Sequence, residues 1–207
     1  MKYIELIKKI KTPIFSLQDL RLLNLKVYPY QLSEWADKGY LIKLKNGLYV
    51  FAEKKGIVKN EHIAFNLYQP SYVSMEWALA KYGLIPEMVY NCTSVTAKTT
   101  RVFQNEFGAF SFRHIKKELF FGYQKIENSG QPYLMAEPEK ALVDYLYLNS
   151  SKIVNRDDVD ELRLNEFELK KLDQSKIKKF SFAANNKKLN SALKLIYANI
   201  KSSKRKV

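Results

Sequence analysis

Residues 28–51 read YPYQLSEWADKGYLIKLKNGLYVF, a helix followed at once by a hairpin. Pro29 suits a first helical turn, where its missing N–H leaves no bond unmade. Leu32, Trp35 and Ala36 recur at i, i+3 and i+4 and predict an inward stripe. Tyr30, Gln31, Ser33, Glu34 and Lys38 then face outward. Gly39 is the residue expected just past a helix end. Two apolar runs follow, Tyr40–Leu44 and Leu48–Phe51, joined by Lys45-Asn46-Gly47. Asn-Gly between apolar runs predicts a tight hairpin whose two central residues both take positive φ.

Upstream, KYIELIKKI over residues 2–10 puts Ile4, Ile7 and Ile10 on one stripe of a helix that Thr12-Pro13 stops. Ser16 is the expected N-cap of a short second helix carrying Leu17, Leu20 and Leu23. Leu20, Leu32 and Trp35 are expected to be buried together. Helix, helix, turn, helix, hairpin is the order of a winged helix-turn-helix. Its third helix would enter the major groove, and the hairpin would run along the phosphates. Tyr30, Gln31, Ser33, Lys38, Lys43, Lys45 and Asn46 are therefore the candidate DNA contacts. The competing reading is a solvated helix face on a protein-interaction module.

Downstream, a helix is predicted over residues 57–67 with Ile63, Ala64 and Leu67 inward, and another over Met75–Tyr82 closed by Gly83. Strands are predicted at Val89–Val95, Arg101–Phe103, Ala109–Ile115, Leu119–Ile126 and Pro132–Met135. In the third of these, Phe110, Phe112 and His114 share one side, so His114 is expected in the core. His62 is expected half-exposed. Glu137-Pro138 opens a helix whose inward stripe is Ala141, Leu142, Tyr145 and Leu148. The expected fold is α+β: a winged helix-turn-helix over 1–56, then a mixed sheet with C-terminal helices over 57–207.

The chain has 207 residues and a formal charge of +14, with 46% hydrophobic residues, enough for a buried core. Residues 1–56 carry +6 and residues 151–207 carry +8, while the middle is neutral. Basic ends suit nucleic acid. Lys176, Lys178, Lys179, Lys187 and Lys188 are candidates for additional phosphate contacts, or else a solvated face. The tail SSKRKV is expected to be a frayed, solvated end. No apolar run approaches the roughly 18 residues of a membrane span, and the N-terminus lacks a signal-peptide core. The single cysteine, Cys92, excludes a disulfide framework and suits a cytoplasmic location.

Four ordered runs carry a resemblance: KGYLIKLKNGLYVF, PSYVSMEWALAKYGLIPE, GAFSFRHIKKELFFGY and AEPEKALVDYLYL. With ELRLNEFELKKLDQSKIKKF and the closing helix Leu189–Ile200, the chain resembles the AbiEi antitoxins of bacterial abortive-infection, type IV toxin–antitoxin operons. That resemblance implies a winged-helix DNA-binding domain joined to an antitoxin domain. It also implies repression of the protein's own operon through double-stranded operator DNA with inverted repeats. The implied second partner is a cognate nucleotidyltransferase-like toxin, opposed without a stable complex, in defence against phage. The hairpin KLKNG departs from relatives that often carry arginine there.

No catalytic constellation is expected. No histidine lies near Ser71, Ser74, Thr93, Ser94 or Thr96 in sequence, and there is no nucleophile-elbow glycine pattern. Cys92 in a Tyr/Val-rich strand reads as a small core residue. Asp157, Asp158, Asp160 and Glu161 read as an acidic first helical turn rather than a calcium loop. The expectation is a non-enzyme without metal or cofactor. The alternative function is a protein- or RNA-interacting module that acts on the toxin or its substrate without specific DNA binding.

Overall fold

The computed structural model describes residues 1–203, with side chains through residue 198; the end of the tail, Lys204–Val207, lies outside the described residues. The fold is α+β. Its first part runs α1 (Tyr3–Lys9), β1 (Ile14–Ser16), α2 (Leu17–Leu22), α3 (Pro29–Asp37), β2 (Leu41–Lys45) and β3 (Leu48–Phe51). The three strands form one antiparallel sheet in the order β1-β3-β2. A 3₁₀ turn over Ala52–Ile57 leads to α4 (Asn60–Leu67), β4 (Ser71–Val73) and α5 (Met75–Lys81). Then come β5 (Asn91–Thr96), β6 (Arg101–Asn105), β7 (Gly108–His114), β8 (Tyr123–Asn128) and β9 (Gln131–Ala136). Helices α6 (Pro138–Asn149), α7 (Arg156–Glu161), α8 (Glu166–Lys171), α9 (Gln174–Ala184) and α10 (Lys187–Ser203) close the chain.

The larger sheet is mixed, six strands in the order β6-β7-β5-β4-β9-β8. Strands β5 and β7 are parallel, as are β4 and β9, and the remaining pairs are antiparallel. Among the described residues no helix is long and apolar enough to cross a membrane.

The small sheet is buried on both faces, which explains why its strands read as nearly unbroken apolar runs rather than as an alternation. Phe15, Leu41, Tyr49 and Phe51 pack with Leu6, Ile10, Leu20, Leu32 and Trp35 in one core. Leu20, Leu32 and Trp35 thus meet as expected. On the opposite face Ile14, Ile42, Leu44, Leu48 and Val50 join the main core, with Ile63, Tyr72, Phe110 and Leu142 among its members.

Several local expectations are corrected. Around α1 the inward pair is Leu6 and the C-cap residue Ile10 at i, i+4, so Ile10 is buried as expected while Ile7 is half-buried and Ile4 is exposed. Leu17 and Leu23 are exposed, and only Leu20 of that trio is buried. The hairpin is not the mirror-image turn: Gly47 has φ +78° but Asn46 has no positive φ, and a bulge interrupts the pairing between Lys43 and Lys45. Leu119 lies in a 3₁₀ turn, and its strand starts only at Tyr123. The two histidines exchange roles. His114, at the end of β7, is exposed and donates from Nδ1 to the Lys98 carbonyl at 2.9 Å. His62 is buried and donates from Nδ1 to the Pro132 carbonyl at 2.8 Å.

Burial holds the His62 pKa below the usual histidine value, against the pull of the Pro132 carbonyl. The folded state therefore binds a proton less readily than the unfolded chain. Its contribution to stability is complete above about pH 6.5 and is lost as pH falls toward the lowered folded value. We expect His62→Gln to flatten the pH dependence of urea-denaturation midpoints between pH 7 and 5. An unchanged profile would assign that dependence to other groups.

The centre of the main core holds an ion pair. Lys140 and Asp144 are each 2% exposed, one turn apart on α6, and in direct contact. Tyr72 Oη and Ser74 Oγ each donate to Asp144 Oδ2 at 2.9 Å, and Lys140 Nζ donates to Tyr72 Oη at 3.0 Å. Helix α6 is consequently buried on more sides than its apolar stripe predicts, while Tyr145 and Leu148 are only half-buried.

Candidate nucleic-acid interface

Local capping fixes the α2–α3 pair. Ser16 Oγ accepts from the Asp19 N–H at 3.2 Å, and the Ser16 N–H donates to Asp19 Oδ2 at 2.6 Å, so α2 starts with a reciprocal capping box. Asn24 takes φ +51°, and the Leu25 N–H returns to the Leu20 carbonyl at 2.8 Å, which turns the chain sharply after α2. Helix α3 begins at Pro29 and ends at Asp37, and Gly39, just past its Lys38 C-cap, has φ +74°. There the Tyr40 N–H reaches the Trp35 carbonyl (2.8 Å) and the Gly39 N–H the Ala36 carbonyl (2.9 Å), the paired bonds of a glycine C-cap. That cap aims the chain directly into β2.

The sequence-predicted residues divide into two groups. Tyr30 is 67% exposed and stacks on Tyr28, ring centres 5.8 Å apart at 11°. Ser33 is exposed beside Glu34, Asp37 and Lys38, and Lys38 pairs with Glu34 at 2.6 Å. Lys43 is exposed and lies opposite Tyr49, on the sheet face against which α3 packs. Asn46 is exposed at the hairpin tip. Tyr30, Ser33, Lys38, Lys43 and Asn46 thus all reach solvent.

Gln31 and Lys45 are committed elsewhere. Gln31 Oε1 accepts from the Tyr28 N–H (3.1 Å) and its Nε2 donates to the Met1 carbonyl (3.0 Å), so it caps α3 and anchors the N-terminus. Lys45 is half-buried, and its Nζ donates to the Leu67 carbonyl at the end of α4. The bulge explains this. Lys43 pairs with Tyr49 but Lys45 pairs with Leu48, and directly opposed residues share a face. Lys45 is thereby switched to Leu48's side, toward the main core. Burial, with Arg101 and Lys98 nearby, lowers its pKa.

Two exposed cations near α3 were not singled out from the sequence. Arg21 in the last turn of α2 and Lys26 in the α2–α3 turn form no ion pair among the described residues. Their only sequence signal was position, immediately before a predicted helix.

The C-terminal lysines are also divided. Lys176 pairs with Glu137 at 2.7 Å, a contact that raises its pKa. Lys178 and Lys179 are exposed on α9, opposite its buried Ile177, Phe180 and Ala184. Lys187 and Lys188 are exposed in the first turn of α10. Cationic side chains there oppose the helix dipole, so they contribute nothing to helix stability and remain available to an anion.

The expected non-catalytic groups are placed as follows. Cys92 is fully buried, and burial pushes its thiol pKa far up, which leaves it without nucleophilic character. Asp158 closes a capping box with Asn155 at the start of α7, so Asp157 and Asp158 form the expected acidic first turn, whereas Asp160 and Glu161 fall at the other end of this short helix. Among the described residues no group of three or more His, Cys, Asp or Glu could hold a metal ion. No model of a known protein family matches this chain, and no curated protein matches it either.

Proposed function

We propose that residues 1–56 are a winged helix-turn-helix that binds duplex DNA, with α3 in the major groove and Lys43 and Asn46 of the hairpin against the backbone. One observation carries this reading. Helix α3 buries Leu32 and Trp35 on one side and leaves Tyr30 and Ser33 bare on the other, directly after a capped turn and directly before a hairpin whose exposed Lys43 lies on the sheet face that α3 packs against. Arg21 and Lys26 add cations where the flanks of such a helix would meet phosphates. The biological role we propose is that of a DNA-binding antitoxin that represses its own operon and counteracts a nucleotidyltransferase-like toxin. That role rests on the AbiEi resemblance of the sequence runs alone.

The test is binding to duplex over a salt series. Each cation that neutralises one phosphate contributes about 0.9 to the log–log salt slope. Lys43→Ala with Arg21→Ala is expected to make the slope shallower by about 1.8 and to weaken binding to all sequences alike. An unchanged slope would remove hairpin and α2 from the DNA.

A second reading has its own observation. Leu22, Leu23, Tyr28 and Tyr30 are all exposed around the α2–α3 turn, and Glu34 and Asp37 make the outer face of α3 partly acidic. Such a face suits a protein partner better than phosphate. It predicts saturable binding of a protein with no salt-steep affinity for duplex.

A further inference from the structure

Lys45, Lys98 and Arg101 come from β2, the β5–β6 loop and β6, and meet around Tyr68. Lys45 Nζ donates to the carbonyl of Leu67, and Lys98 Nζ donates to the carbonyl of Gln69, so the two ammonium groups are tethered on either side of Tyr68 in sequence. Lys98 Nζ lies 5.6 Å from the centre of the Tyr68 ring and the Arg101 guanidinium 5.4 Å. The Tyr68 hydroxyl bonds Thr99 at 3.2 Å, which holds the loop against the ring. A shallow pocket opens beside Lys98, lined by Tyr68, Ala97, Lys98, Thr99, Thr100 and His114.

Lys45, Lys98 and Arg101 take part in no ion pair among the described residues, although nine such pairs form elsewhere. Arg101 and Lys98 act on Lys45 as like charges, which is a cost that the folded chain leaves standing. The donors, in contrast, are ready. Each tethered ammonium uses one N–H on a carbonyl and keeps two, and the guanidinium fork matches paired oxygens. Thr100 Oγ1 accepts the His114 N–H at 3.1 Å, leaving its hydroxyl proton to donate. His114 spends Nδ1 on the Lys98 carbonyl, which leaves Nε2 as its remaining ring nitrogen.

We propose that this cluster is a binding site for a phosphoryl group, at the seam where the hairpin of the small sheet meets edge strand β6 of the large one. Lys98 and Arg101, both beside the Tyr68 ring, with Lys45 near enough to feel their charge, suit a multiply charged group with several oxygens better than they suit a single carboxylate. The site is separate from the outer face of α3 and does not depend on that face reading DNA. Two sources share the chemistry: a free phosphate or nucleotide, and the backbone of a polynucleotide.

The experiment uses the full chain, as wild type, as Lys98→Gln with Arg101→Gln, and as Lys125→Gln with Lys152→Gln. The last variant removes the same charge from exposed positions on β8 and after α6, away from β6. Thermal-shift and calorimetric titrations are run with inorganic phosphate, with ATP and with a random-sequence oligonucleotide. Wild type and the Lys125/Lys152 variant are expected to be stabilised by at least one of these. The Lys98/Arg101 variant is expected to bind that compound at least tenfold more weakly while its ligand-free melting temperature stays equal or rises. Stabilisation by phosphate or ATP assigns a free ligand, and stabilisation by the oligonucleotide alone assigns a polynucleotide backbone. Equal shifts in wild type and the Lys98/Arg101 variant, or no shift in either, would overturn the proposal.

Discussion

Replacing Asp144 with alanine is expected to destabilise the fold by about 3–5 kcal/mol, the usual cost of stranding one partner of a buried ion pair. Lys140 is held at 2% exposure under Gly122, where even a Cβ would approach its side chain to 3.0 Å, so the freed ammonium has no route to water. Tyr72 and Ser74 would lose their acceptor in the same step. For a chain whose total stability is of the order of 5–15 kcal/mol, that loss is a large fraction. Urea denaturation followed by far-UV circular dichroism measures it. Lys140→Met with Asp144→Leu removes both charges and is expected to recover part of the loss, since a hydrophobic pair of similar volume can replace a buried ion pair. A single Asp144→Ala variant as stable as wild type would mean that Lys140 escapes to solvent.

Trp35→Ala is expected to cost about 3–5 kcal/mol through the cavity it leaves. Trp35 packs with Leu20, Leu32 and Phe51, and the Tyr3 ring lies edge-to-face with it, ring centres 5.8 Å apart. Deleting Trp35 leaves Trp77, beside the main core, as the only tryptophan and hence as a reporter of that core. The small sheet has one face in each core, so a weakened first core is expected to pull the Trp77 unfolding midpoint to lower urea. An unmoved Trp77 midpoint would show that the two cores unfold independently.

What the sequence made legible here was local. Pro29, Gly39 and Ser16 act through backbone bonds within a few residues of themselves, and each does what its position predicts. Strand β1 was hidden because three residues are too few to show a period, and Ile14–Ser16 becomes a strand only by pairing with β3. Alternation along β7 put His114 on the side of Phe110 and Phe112, but the strand ends at that residue, and there His114 turns to solvent while the next residue, Ile115, enters the core. Lys140 and Asp144 at i, i+4 look like a solvated helical pair. Only tertiary packing brings Tyr72 and Ser74 across from β4 to make burial tolerable.

The candidate interface was legible to the same extent. Tyr30, Ser33, Lys43 and Asn46 reach solvent because helix phase and strand parity predict exposure correctly for them. Lys45 departs because a bulge, invisible in a run of alternating residues, moves it to the other face. The Lys98 and Arg101 cluster it joins is assembled from three separate stretches of chain, and no spacing announces it.

DNA binding is tested most directly by fluorescence anisotropy of the full chain with duplex from its own upstream region and with a scrambled duplex of equal length, at one fixed salt concentration. Clearly tighter binding to the upstream duplex is the predicted result. Tyr30→Ala with Ser33→Ala is further predicted to erode this preference, by about 1–3 kcal/mol for each base pair no longer read, while changing affinity for scrambled DNA little. Equal affinity of the wild-type chain for both duplexes would contradict sequence-specific recognition by α3.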